Sequence, residues 1–366
     1  MTKQACGAGL LAALGCRAEP PAPVEPPAPT PPVVIRVATY NAALHREPAG
    51  ALLEAIESGD PHVDAVAAVV RTLDADVLLL NEIDADPAVV DAFVTRGLPE
   101  QGYAHRFVPA SNTGVPTGFD LDRDGVTDGP GDAKGYGRYE GQYGMALLSR
   151  FPIVRSTCFG DRPWASFSWA TLPDDPQTPA PGDWYDVSAR AVLPLSSKNH
   201  CDVLLETPAG PLHALISHPT PPAFDGPEDR NGLRNADEIE FWIHHIDALE
   251  ADAAFVVLGD LNADPHDGDT AAAIAALLEH PRVVDPTPGS DGAAAAARAQ
   301  GNRNEVHAGD PRLDTADWDD AVVGNLRVDY ALPSTTLDVK AAGVMWPLND
   351  DAPSDHHPVW VDLTPR

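Results

Sequence analysis

Residues 256–262 read V-V-L-G-D-L-N. With Phe255 in front, the run F-V-V-L is uncharged, too short for a helix of ordinary length and long enough for a strand. It does not alternate polar with apolar. A continuous apolar run marks a strand covered on both faces, as in an α/β sheet. Two polar residues, Asp260 and Asn262, stand at its tip. On their own they mark only the end of a strand, where Asp and Asn commonly turn the chain.

Other segments repeat the pattern. Residues 33–41, V-V-I-R-V-A-T-Y-N, read as a buried strand ending at Asn41, and V-L-L-L-N-E at residues 77–82 as a second ending at Glu82. Between them Val63, Val66, Ala67, Val70 and Leu73 recur at helical spacing. Strand, helix, strand in that order argues for an α/β protein. Further strands are expected at residues 145–149, 212–217, 255–258, 328–332 and 359–363. A long helix is expected from about Asn235 to Leu249, with Ile239, Trp242, Ile243 and Ile246 on one face. Residues 111–141 and 287–304 read as irregular, the second despite its alanine run. No composition break divides residues 33–366, so one domain with long insertions is the simplest organisation.

Polar residues gather at the ends of these strands: Asn41, Glu82, His218 after H-A-L-I-S, Asp260 with Asn262, Asp329 within R-V-D-Y, and Asp355 with His356 before P-V-W-V-D-L. Ligand sites in α/β sheets form at strand ends. Carboxylates and an amide carbonyl are hard oxygen ligands, suited to Mg²⁺, Mn²⁺ or Ca²⁺. There is no thiolate cluster and no H-E-x-x-H, which argues against zinc. An imidazole beside a carboxylate moves protons near neutral pH. Together these groups suit metal-assisted attack of water on a phosphate ester.

The 366 residues are 43% hydrophobic and hold 24 basic against 55 acidic side chains, a formal net charge of -31. Such a surface repels polyanions and offers few cations to neutralise phosphates, so no strong nucleic-acid affinity is expected. At the N-terminus Lys3 precedes a short apolar run that ends at Cys16. Residues 1–16 read as an export signal of the lipoprotein type, with Cys16 lipidated, and residues 17–32 as a stiff Pro-rich linker. The folded part then spans residues 33–366. The protein is expected outside the cytoplasm, as a bacterial envelope lipoprotein or a secreted monomer that meets membrane only through its anchor. Cys158 and Cys201 remain in the folded part, free to pair in an oxidising compartment or to stay apart.

In this order the motifs resemble the endonuclease/exonuclease/phosphatase superfamily, with its deoxyribonuclease-I-like fold, in an exported bacterial branch. The matching pieces are T-Y-N at Asn41, L-L-N-E at Glu82, G-M-A-L-L-S-R around Leu147, H-A-L-I-S-H at His218, G-D-L-N, R-V-D-Y and S-D-H. The resemblance implies a four-layer α/β/β/α sandwich of two mixed sheets packed face to face and flanked by helices. It also implies roles. Glu82, Asn41 and Asp355 would hold the metal. Asp260 and Asn262 would position the attacking water and a phosphoryl oxygen. His356, oriented by Asp329, would be a general base or a transition-state stabiliser, and His218 a general acid. The family's repair endonucleases carry Asp where this chain has Ala43, and Tyr where it has Gln142 beside Tyr143. Both departures point away from DNA repair and toward an exported phosphatase, phosphodiesterase or phospholipase-type enzyme.

Two further sets stand out. Asp120, Asp122, Asp124 and Asp128 alternate around Gly125, like the first half of a calcium loop, and are expected to hold a structural Ca²⁺. Lys198, His200, Arg230 and Asn235 are candidate contacts for substrate phosphate. The alternatives to a phosphoesterase are an extracellular nuclease and a non-catalytic, Ca²⁺-binding surface protein on the same fold.

Overall fold

Along the strand V-L-L-L, Leu78 and Leu80 face one way and Val77 and Leu79 the other, and all four are fully buried. A strand with two buried faces needs a layer on each side, and the computed structural model supplies both. The structure describes residues 33–347 and 352–366, together with residues 1, 2 and 7. The chain divides into two units, residues 1–31 and 32–366, and the second carries every element below. The expected export signal, apart from residues 1, 2 and 7, and the linker at 17–32 lie outside the described residues.

In chain order the elements begin β1 (Ile35–Asn41), α1 (Ala51–Ser58), α2 (Pro61–Leu73), β2 (Val77–Ile83), α3 (Pro87–Gly97), β3 (His105–Phe107) and β4 (Gly144–Ser149). The middle of the chain forms β5 (Ile153–Cys158), α4 (Val187–Val192), β6 (His200–Thr207), β7 (Gly210–Ser217), α5 (Arg230–Ala248) and β8 (Phe255–Asp260). It closes with α6 (Ala271–Leu278), α7 (Asp291–Gln300), β9 (Ala316–Asp317), β10 (Asn325–Leu326), β11 (Asp329–Pro333), β12 (Leu337–Val344) and β13 (Val359–Pro365).

Of the two large sheets, one has the order β12-β13-β1-β2-β4-β3 and the other β11-β8-β7-β6-β5, while β9 and β10 form a separate two-stranded antiparallel sheet. Each large sheet is mixed: β1 with β2 and β7 with β8 are parallel pairs, and the remaining pairs within the two sheets are antiparallel. Three apolar layers account for the four-layer sandwich. Val37, Val77, Leu79 and Leu147 of the first sheet meet Val203, Ile216, Val256 and Leu258 of the second. The outer face of the first sheet, with Leu78 and Leu80, is covered by Val63, Val66 and Val70 of α2 and Phe93 of α3. The outer face of the second, with Leu215, Phe255 and Val257, is covered by Ile239, Trp242 and Ile246 of α5.

Cys158 and Cys201 stand opposite each other in the β5–β6 pair, Cα atoms 4.1 Å apart, and form a disulfide. Several elements differ from expectation. The long helix begins at Arg230, five residues early: the added turn, R-N-G-L-R, has one apolar side chain, and its buried Arg234 is a residue that an apolar count passes over. The alanine run at 291–300 is helical: Ser290 accepts from the amides of Gly292 and Ala293, and Ala293, Ala294 and Ala297 are buried. The sequence L-D-V-K-A-A-G-V of β12 hides its strand, because β12 is an edge strand with a bulge between Val339 and Ala341.

Candidate active site

Asn41, Glu82, Asp260 and Asp329 end up together because the sheets face each other and bring these strand ends to one place. Asn41 is the last residue of β1 and lies in parallel register with Asn81. Glu82 follows at a bulge, where pairing with β4 slips between Asn81 and Ile83 and its φ is 60°. A non-glycine residue in that region is strained, a cost that functional sites commonly carry. Gly259 answers a different demand. A Cβ there would lie 2.0 Å from the carbonyl oxygen of Ser217, so only glycine lets β8 approach β7 this closely and carry Asp260 into place.

Asp260 is the centre. Its Oδ1 accepts from the amide of Asn262 at 2.9 Å. Its Oδ2 accepts from Asn41 Nδ2 at 3.0 Å and faces His218 Nε2 at 3.5 Å and His356 Nε2 at 3.7 Å. Asn41 Nδ2 also reaches Glu82 Oε1 at 3.2 Å. Asp329, opposite Asp260 in the β11–β8 pair, holds His356 Nδ1 at 2.8 Å through Oδ2, which also accepts from Thr315 Oγ1 at 2.8 Å. Ser354 Oγ donates to the carbonyl of Asn41 and accepts from the amide of His356, so the S-D-H turn is tied to the end of β1.

Burial and charge set the protonation. Burial opposes the imidazolium of His356, but the carboxylates of Asp329 and Asp260 and the hydrogen bond to Asp329 prevail and lift it to about 10. Burial pushes Asp260 up to about 7 against the pull of His356. Glu82 is held at about 2: burial would raise it, but the hydrogen bond with His45 and the charges of His218, His45 and His356 outweigh that. His218 lies well below its usual range, through burial and the nearby ammonium of Lys198.

The oxygen donors fit a hard divalent cation. Asp329 Oδ1 is buried without a hydrogen-bond partner, the Glu82 side chain is 21% exposed, and ligand atoms of Asp260, Asp329 and His356 lie within 4.8 Å of one another. Asp355 is exposed and accepts from Trp318 Nε1 at 3.1 Å.

The other candidates separate. Lys198 is buried beside the site, its Nζ donating to the carbonyl of Pro219 at 3.3 Å. His200 is a core residue and not a substrate contact: both ring nitrogens are taken, by Ser196 Oγ and the carbonyl of Glu238, and the ring packs on Phe241 and Trp242. Arg230 pairs with Glu228. The Asn235 side chain is spent on the carbonyls of Thr220 and Leu261 and on Thr270 Oγ1, which fixes loops instead of meeting substrate. In the acidic loop, oxygens of Asp120, Asp122 and Asp124 lie within 4.8 Å of one another, but Asp128 is not in that group. The chain turns beyond Asp128 because Asp132 binds the amides of Leu121 and Gly129 and closes the loop itself.

Two participants carry no sequence signal. His45 Nδ1 lies 3.0 Å from Glu82 Oε2, and its ring lies against that of Tyr143, centroids 4.5 Å apart. Glu238, fully buried on α5, accepts from Ser197 N, Ser197 Oγ and Thr220 N, and so anchors the loops bearing Lys198 and His218. Among the residues that depart from the repair endonucleases, Gln142 is buried and accepts from the amide of Arg138.

Fold and site together define an α/β sandwich protein whose carboxylate and imidazole groups suit hydrolysis. More particularly, residues 38–356 match the model of the Endonuclease/Exonuclease/phosphatase family, and the chain belongs to that family. Its members are hydrolases of phosphoester bonds and generally use divalent metal ions. Similar solved structures include an endonuclease/exonuclease/phosphatase from Beutenbergia cavernae DSM 12333, 20% identical over 91% of this chain and 72% of that one, TM-score 0.54. The catalytic domain of human Nocturnin with a bound sulfate anion is 18% identical over 92% and 94%, TM-score 0.52. Sphingomyelinase C from Streptomyces griseocarneus is 16% identical over 90% and 99%, TM-score 0.50. At these identities the likeness is one of fold. Comparison with curated protein sequences returns no match.

Proposed function

We propose that the protein hydrolyses a phosphomonoester or phosphodiester by attack of water, with Mg²⁺ or Mn²⁺ held by Glu82, Asn41 and Asp355. The observation that carries this reading is the convergence of Asn41, His218 and His356 on one buried oxygen, Asp260 Oδ2. A divalent cation, when bound, supplies positive charge to the phosphoryl oxygens and makes water a better nucleophile.

The chain's own residues do the rest. Asp260, with its carboxyl raised toward neutrality, accepts the proton of the attacking water, since a base works best near the working pH. His356 keeps its proton at neutral pH and donates from Nε2 to a phosphoryl oxygen, while Asp329 fixes the tautomer through Nδ1. Asn262 donates to a second oxygen. His218 is neutral in the free protein, gains proton affinity beside a bound phosphate, and then protonates the leaving oxygen. Lys198 places a cation beside the same group. This assigns His356 to stabilising charge and Asp260 to the base role.

The test is a panel of bis-p-nitrophenyl phosphate, p-nitrophenyl phosphate, DNA and sphingomyelin, with and without EDTA, comparing wild type with Asp260→Ala. Turnover that EDTA abolishes and the substitution removes is expected. Turnover indifferent to both would overturn the mechanism, and DNA as the preferred substrate would favour the nuclease alternative. We further propose export, by lipid anchor or secretion. The Cys158–Cys201 disulfide supports it, because disulfides persist in oxidising compartments. Labelling of Cys16 by a clickable fatty acid in a bacterial host tests the anchor.

A further inference from the structure

Beside the catalytic groups lies a cavity of about 350 Å³, bordered by Ala43, Gln300, Asp317, Trp346, Asp355 and His357. It adjoins the site directly: Ala43 is two residues past Asn41, and Asp355 and His357 flank His356. Its volume lies in the usual range for small-molecule sites, about 300–1,000 Å³.

His357 is the unexplained group. Its side chain is 4% exposed and its ring stacks on Trp346, centroids 3.8 Å apart, yet neither ring nitrogen has a hydrogen-bond partner among the described residues. An imidazole offers a donor and, when uncharged, an acceptor; neither nitrogen of His357 is among the fully enclosed unpartnered atoms, and the residue borders the cavity. Across the cavity, Asp317 takes two hydrogen bonds from Gln300 Nε2, at 2.9 and 2.8 Å, which fixes its carboxylate.

We propose that this cavity is a subsite for a hydroxyl-bearing, sugar-like alcohol portion of the phosphoester substrate. The inference rests on the phosphoesterase reading above. The chemistry selects among ligand groups. Among the described residues no Lys or Arg borders the cavity, so a second phosphate there would find no cationic side chain. A quaternary ammonium needs an open aromatic face, and His357 covers that of Trp346. Vicinal hydroxyls meet neither obstacle: they donate to the carboxylate of Asp317 and both donate to and accept from His357. Ala43 borders the cavity with a small side chain, where a larger acidic one would take up part of its volume.

The experiment compares glucose 6-phosphate with cyclohexylmethyl phosphate, the same ring without hydroxyls, and repeats the comparison with their p-nitrophenyl diesters. Bis-p-nitrophenyl phosphate is the reference. Wild type is expected to favour the hydroxylated member of each pair in kcat/KM by about tenfold or more, the worth of one or two hydrogen bonds. His357→Phe, which keeps the stack on Trp346, and Asp317→Asn, which keeps the shape, should each erase most of that preference. Neither should change turnover of the reference ester. Equal kcat/KM within each pair, or losses of equal size on the reference ester, would overturn the subsite while leaving the phosphoesterase intact. If no ester is turned over, the phosphoesterase reading fails. The subsite is then judged by calorimetric binding of methyl glucoside, which wild type should bind more tightly than His357→Phe does; equal or absent binding overturns it.

Discussion

Asp329→Asn isolates the pair that sets the state of His356. The substitution keeps the size of the side chain and the possibility of a bond to Thr315, but removes the charge that His356 Nδ1 meets at 2.8 Å. Both partners are buried, Asp329 completely and His356 at 5% exposure. Removing one member of a buried pair costs about 3–5 kcal/mol. If the imidazolium acts mainly in the transition state, that cost appears in kcat as roughly two to four decades. Stability carries an independent signature. Folding raises His356 from its ordinary 6.5 to about 10, so the stabilisation is complete below pH 6.5 and is lost as the pH climbs through 10. The gap in Tm between wild type and Asp329→Asn, measured in EDTA, should be widest below pH 6.5 and close toward pH 10. The assay is kcat on bis-p-nitrophenyl phosphate from pH 5 to 10, with thermal melts over the same range. A variant within about threefold of wild type in kcat, or a Tm gap that ignores pH, would refute the roles given to both residues.

Three other outcomes follow from the geometry. Glu238→Ala leaves Ser197 and Thr220 amides without their buried acceptor; at about 1–3 kcal/mol for each such group, it should lower Tm and, by loosening the Lys198 and His218 loops, reduce kcat as well. The Cys158–Cys201 bridge spans 43 positions and should contribute about 2–4 kcal/mol; reductant, or a Cys158→Ser Cys201→Ser double variant, should lower the urea midpoint by a corresponding amount. Calorimetric titration with Ca²⁺ should show one site that Asp122→Ala or Asp124→Ala removes, because carboxylates of Asp120, Asp122 and Asp124 crowd within 4.8 Å and would otherwise repel. An absent heat signal in wild type would retire that site.

Most of the central strands and nearly all the groups around Asp260 were legible in the chain, and for one reason. A strand covered on both faces must be apolar throughout, so a polar residue stands out only where the strand leaves the core, as Asn41, Glu82, Asp260 and Asp329 do. Residues on helices and loops gave no comparable contrast. Glu238 occupies a helix position where a charged residue is ordinarily solvated, yet it is fully buried and anchors two loops. His45 follows β1 with no motif around it. His200 sits close in sequence to Lys198, but strand β6 alternates its side chains and turns it into the core.

The sequence by itself determined the α/β alternation, the polar strand tips and the acidic, cation-poor composition, because these depend on residue type and spacing alone. Tertiary structure decided which of those tips share an oxygen. Asn41 and Asp260 are 219 residues apart, and only the face-to-face packing of two sheets closes that distance. It also decided that Cys158 meets Cys201, that Asn235 is spent on loops, and that His357 borders a cavity, since each depends on what long-range packing brings alongside.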